Sequence, residues 1–131
     1  MSQLTMEVDP PTGGRQRVVV GGRLDTHTFA ELDAVLLPLL DADAFTLVLD
    51  LEPLEYISSA GLRSIFRARK QLAANGGQLL VVNPQPQIRK VFDMVKAVPL
   101  EEIFTSWQEM DAYLDAMQRK VTAGSEPPSV I

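Results

Sequence analysis

The chain contains no cysteine, so disulfides and thiolate metal sites are excluded, and the composition fits a reducing compartment. It has a single histidine, His27. With no second imidazole a zinc site cannot be completed, and His27 reads as a surface or loop residue rather than a base. Basic charge is also in deficit: 12 Lys and Arg face 17 Asp and Glu, a formal net charge of −5. Binders of nucleic-acid backbones carry a basic footprint instead, so direct nucleic-acid binding is not expected. No apolar run approaches the ~20 residues of a bilayer-crossing helix. The opening residues, MSQLTMEVDPP, have no basic stretch leading into an apolar one. The expectation is a cytoplasmic protein without membrane insertion. Internal repeats are absent, as are the phosphate loop G-x-x-x-x-G-K-[ST] and the nucleophile elbow G-x-S-x-G.

What is present suits one folded domain. A chain of 131 residues with 46% apolar side chains is long enough to bury a core without covalent staples. Leu4, Met6 and Val8 alternate as a first strand near 3–8. Pro10, Pro11, Gly13 and Gly14 mark a turn, and Val18 to Val20 form a second strand ended by Gly21 and Gly22. A hairpin is the simplest join.

Leu32, Val35, Leu36 and Leu39 repeat at helical spacing, giving a helix from about Thr28 to Leu40, with Thr26 or Thr28 as its cap. Pro38 removes a backbone bond and should bend that helix or end it early. Phe45 to Leu51 is nearly continuous in apolar character, as in a central strand buried on both faces.

A second helix runs from about Ser59 to Ala74, with Leu62, Ile65, Phe66 and Leu72 inward, and stops at Asn75-Gly76-Gly77. Leu79 to Val82 is another strand. Pro86 opens a third helix carrying Ile88, Val91, Phe92 and Val95 on one face. Glu102 to Thr105 reads as a short edge strand. Ser106 and Glu109 form a capping box for a last helix, whose stripe of Trp107, Met110, Leu114 and Met117 is read as packing. Residues 1–120 form the domain, and 121–131 are polar, proline-containing and expected to be disordered. Strands alternating with helices imply an α/β fold: a mixed, mainly parallel sheet of about five strands with four helices.

The segment Tyr56-Ile57-Ser58-Ser59-Ala60-Gly61-Leu62 joins the end of a central strand to a helix N-terminus, where function concentrates in open α/β sheets. Two serines fall where the helix amides lack partners. Capping alone explains them. Reversible phosphorylation explains them too, because an added anion meets the positive end of the helix dipole and spares the fold. That second reading requires the hydroxyl to be presented at the surface.

A Ser59–His27–Asp25 triad is set aside: Asp25 and His27 share one short loop, and nothing brings them to Ser59 or supplies an oxyanion hole. Gly76-Gly77 follows a helix and precedes a strand, the wrong order for a phosphate loop. Arg63, Arg67, Arg69 and Lys70 form a basic face; Arg63 and Arg67, at i and i+4, lie within two turns of Ser59 and are placed to meet acidic groups on a partner, or else to be solvated.

Taken together, Gly22-Arg23-Leu24-Asp25, LVLDLEPLEYISSAGL, the Gly76-Gly77 turn and QLLVVNPQPQIRKVFDM resemble a STAS domain of the bacterial anti-sigma factor antagonist (anti-anti-sigma factor) family, over roughly residues 3–117. The resemblance implies a partner switch that regulates transcription, without a cofactor and without catalysis by this chain. The unmodified antagonist captures an anti-sigma factor that is also a serine kinase of the histidine-kinase-like ATPase type. Phosphorylation releases it, and a serine phosphatase restores it. The acceptor position falls on Ser59, with Ser58 the alternative. The docking residues fall on Asp25, Thr26, Ser58, Ser59, Ala60, Gly61, Arg63 and Arg67. Asp25 reads equally well as a helix cap. Two positions depart from the family pattern: Ser58 replaces the usual aspartate, and Ala60 a residue that is often hydroxylated. The departure at Ser58 favours the rival, a non-phosphorylated STAS scaffold or a subunit of a larger signalling or lipid-transport assembly.

Overall fold

The computed structural model describes residues 3–41, 45–97, 104 and 106–124. Its backbone is organised by one long strand. Strand β1 (Leu4–Val8) runs antiparallel to β2 (Arg15–Leu24), with Leu4 opposite Gly22 and Val8 opposite Val18. The other edge of β2 is shared by two parallel strands in succession. Strand β3 (Thr46–Asp50) pairs with its first half, from Arg15↔Thr46 to Val19↔Asp50, and β4 (Leu54–Ile57) with its end, up to Leu24↔Ile57. Strand β5 (Gln78–Val82) lies parallel on the far side of β3.

Four helices are described: α1 (Phe29–Leu36), α2 (Ser59–Ala74), α3 (Pro86–Ala97) and α4 (Trp107–Thr122). Helix α1 packs against α2, and α3 against α4. Alternate residues of β2 (Val18, Val20, Leu24) and β3 (Leu47, Leu49) are fully buried, together with Leu32, Ile65, Leu72, Ile88 and Leu114 from the helices. This is the α/β architecture expected from the alternation of patterns.

Several boundaries differ from the sequence reading, each for a local reason. Gly21 and Gly22 do not end β2. They lie inside it, at a register shift between Gly22 and Arg23 that lets the strand pass from β3 to β4. Gly22 sits at φ +81°, and a Cβ there would collide with the Gln3 carbonyl, so only glycine fits this bend.

The segment leading into ISSAG is therefore not the Phe45–Leu51 strand but the separate strand β4, read from sequence as a connection. On β3 only one face is fully buried; Thr46 and Val48 are half-buried. Helix α1 stops at Leu36 and tightens into a 3₁₀ turn, Leu37–Leu39, around Pro38. Phe66 is 37% exposed, against an expected inward position, and meets Phe92 edge-on. The expected strand 102–105 lies outside the described residues apart from Phe104, as does the tail beyond 124, while α4 continues to Thr122.

One buried charge braces the sheet. Asp50, at the end of β3, accepts hydrogen bonds from Arg17 Nη2 (2.7 Å), the Glu52 amide (3.0 Å) and Asn83 Nδ2 (3.4 Å). Burial pushes its carboxyl up, but these hydrogen bonds outweigh that effect and hold it below the ordinary carboxylate value.

Candidate functional site

Strand β4 delivers the chain to the start of α2. The Ser58 amide still donates to the Leu24 carbonyl (2.9 Å), which continues the sheet ladder by one residue. Ser58 is extended (φ −100°, ψ 176°) and is the N-cap; its Oγ accepts from the Gly61 amide at 3.5 Å. Ser59 is the first helical residue. The placement expected for it, at the amino end of the second helix, is observed.

Its expected exposure is not. Ser59 is 1% exposed, and its Oγ is buried without a hydrogen-bond partner among the described residues. Helix α4 meets the start of α2 here. Asp111 Oδ1 accepts from the Ser59 amide at 2.8 Å. The Arg63 guanidinium stacks on the Trp107 ring (4.1 Å), while Arg63 Nε reaches back to the Ser59 carbonyl at 3.4 Å. Further along α4, the buried Gln118 binds the open edge of β4: its Oε1 accepts from the Ile57 amide (3.0 Å), and its Nε2 donates to the Ile57 carbonyl (2.8 Å).

The other residues expected at the docking surface divide into buried and exposed. Ser58 is buried, and Ala60 and Gly61 are buried rather than displayed. A Cβ on Gly61 would come within 2.6 Å of Leu24 Cγ and 3.0 Å of Ile57 Cγ1, so this glycine serves close packing of the helix on the sheet. Ala60 also lines an open groove of about 480 Å³ between α1 and α2, together with Phe29, Arg63, Phe66, Arg67 and Lys70. Arg67 already has an acidic partner within the chain, Asp33 of α1, at 3.1 Å.

Asp25 and the exposed Thr26 lie in the loop before α1. Asp25 Oδ1 accepts from the His27 amide (2.9 Å), and the Asp25 amide donates to Thr28 Oγ1 (2.9 Å). Thr28 holds the N-cap position of α1, but its hydroxyl stabilises this turn and donates to the Arg23 carbonyl (2.8 Å) rather than capping a helix amide.

Beside the turn, Arg23 lies over the Tyr56 ring at 4.0 Å and 3.7 Å from Asp25. Burial, with the negative charges of Asp115 and Asp111, pushes the Tyr56 hydroxyl above its ordinary value. Asp111 thus meets the start of α2, while Asp115, Asp111 and Asp25 act on Tyr56 just before it.

Sequence reasoning missed the α4 residues Asp111 and Gln118. The available signal was a second stripe: Trp107, Asp111, Leu114 and Gln118 follow helical spacing beside the apolar stripe. Two polar groups on an inward face need buried partners.

The STAS domain family model matches residues 12–110. Over 73 residues the chain is 37% identical to BtrV of Bordetella bronchiseptica; that match covers 56% of this chain and 63% of BtrV, less than two thirds of that relative. It is 28% identical over 100 residues to the anti-sigma F factor antagonist of Lysinibacillus sphaericus, covering 74% of this chain and 86% of that one. The crystal structure of an anti-sigma factor antagonist from Mycobacterium paratuberculosis superposes with a TM-score of 0.62 at 26% identity, covering 88% of this chain and 94% of that one.

Proposed function

The chain belongs to the STAS domain family, and from that premise we propose that it is an anti-sigma factor antagonist whose hold on its partner is switched by phosphorylation of Ser59. The partner is an anti-sigma factor that is also a serine kinase of the histidine-kinase-like ATPase type, and a serine phosphatase reverses the modification. The chain acts by binding. In the modifying step the kinase transfers the γ-phosphoryl group of ATP: the Ser59 Oγ–P bond forms, the bond from that phosphorus to the ADP oxygen breaks, and the hydroxyl proton leaves to solvent.

The observation that carries this reading is the place of Ser59 as the first residue of α2, next to the Ser58 cap. The burial of its hydroxyl counts against direct access, so the reading requires the start of α2 to be uncovered before the kinase acts. At that position a phosphate of about −1.5 to −2 charge is favoured by the helix dipole. The relatives named as anti-sigma factor antagonists support an anti-sigma factor as the partner.

The burial of Ser59 also favours a second reading, a STAS module that binds its partner regardless of modification, within a larger signalling or lipid-transport assembly. The two separate in one experiment. The tagged chain is purified from its own cells, its intact mass is measured, and any modification is mapped. A phosphoryl group on Ser59, lost in Ser59→Ala, supports the switch. Its presence on Ser58 alone moves the acceptor. Unmodified protein carrying a bound partner under every growth condition supports the constitutive module.

A further inference from the structure

We propose that the first turns of α4 are a displaceable cover over Ser59, and that α4 docking and an anion on the Ser59 side chain exclude each other. This rests on Ser59 being the phosphorylation site. Three observations combine. The Asp111 carboxylate already occupies the amide end of α2, 2.8 Å from the Ser59 nitrogen. The Ser59 oxygen is buried and has no partner among the described residues. Asp115, also on α4, lies close enough to act on Tyr56 along with Asp111.

A phosphoryl group on Ser59 would put its oxygens and negative charge against the half-buried Asp111 carboxylate, and the repulsion of like charges there weakens the docking of α4. The kinase also cannot reach an oxygen that is buried beside the contact of Asp111 with the Ser59 amide. Either event requires α4 to move.

The helix is built for partial release. Its first turn is exposed at Trp107 (42%), Gln108 and Glu109, with Met110 the one buried side chain of that turn. Beyond it the helix is anchored by buried Leu114, Met117 and Gln118. The cover can therefore lift from Ser59 while Gln118 stays bound to the β4 edge. By linkage, whatever lifts α4 promotes modification, and modification keeps it lifted.

Hydrogen–deuterium exchange on the full chain tests this without a kinase. Ser59→Asp should speed exchange of the amides in residues 107–113 by about ten-fold or more, as local opening replaces protection, with β2 and β3 still protected. Adding Asp111→Asn, which removes one of the two charges but keeps an accepting oxygen, should restore most of the protection. Wild-type protection of 107–113 in Ser59→Asp would overturn the proposal. So would loss of protection throughout the sheet, because α4 would then not be separable, or no rescue by Asp111→Asn, because charge would then not be the cause. A Ser59 that gains no phosphate in cells, with α4 still displaced by Ser59→Asp, would instead refute the switch and leave the cover intact.

Discussion

Two adjacent serines should respond to the same substitution with opposite signs. Ser58 Oγ accepts from the Gly61 amide, but at 3.5 Å, the outer limit of a useful bond. Loss of an N-cap costs about 0.5–2 kcal/mol, and so long a bond places Ser58→Ala near the lower end, about 0.5–1 kcal/mol of destabilisation. Ser59 Oγ is buried with no partner among the described residues. Leaving a hydroxyl in that state costs about 1–3 kcal/mol. Its removal relieves that penalty and leaves a one-atom void worth roughly 0.5 kcal/mol the other way. Ser59→Ala should therefore stabilise the protein by about 1 kcal/mol, or roughly 3–5 °C in Tm for a domain of this size. Thermal and urea unfolding of both variants beside the parent would measure it, with an unchanged urea slope as the check that the same transition is observed. A Ser59→Ala that lost about 1 kcal/mol or more would refute the reasoning, because its hydroxyl would then be making a bond.

Other substitutions test the elements around this pair. Gln118→Ala removes the Gln118 bonds to both the amide and the carbonyl of Ile57; with orphaned buried groups at about 1–3 kcal/mol each, a loss of about 2–6 kcal/mol is expected by urea titration. Gly61→Ala gains helix propensity but forces a Cβ to 2.6 Å from Leu24 Cγ, and overpacking of about 1–3 kcal/mol should leave a net loss by the same assay. Asp50 has its carboxyl lowered in the folded state. Its contribution is therefore complete above the unfolded value near pH 4 and is lost as pH falls through the lower folded value. Acid unfolding curves of the parent and Asp50→Asn should differ above about pH 4 and converge below it.

How much of this was legible depended on whether a feature was local. The span Ser59–Ala74 of α2, the Pro86 start of α3 and the Ser106 cap of α4 came from periodicity and terminal residues, which act within a few positions. The end of α1 at Leu36 followed from Pro38. Strand β4 was missed because four residues give too short a pattern, and its identity depends on the free far end of β2. Ser59 was correctly placed at the helix start for the same local reason that Ser58 caps it. Its burial was not legible, because the residue over it, Asp111, is 52 positions away in the chain. Ala60 and Gly61 looked like surface because small residues are ambiguous: they can be presented to a partner or pressed against Leu24 and Ile57, as Gly61 is.

The most direct test is the affinity of the protein captured with this chain from its own cells, measured by calorimetry against the unmodified protein and against protein bearing phosphate on Ser59. Tight binding of the first and binding weakened at least ten-fold (about 1.4 kcal/mol) in the second is the expected result. Equal affinities would contradict the switch and identify the chain as a module that holds its partner whatever the state of that serine.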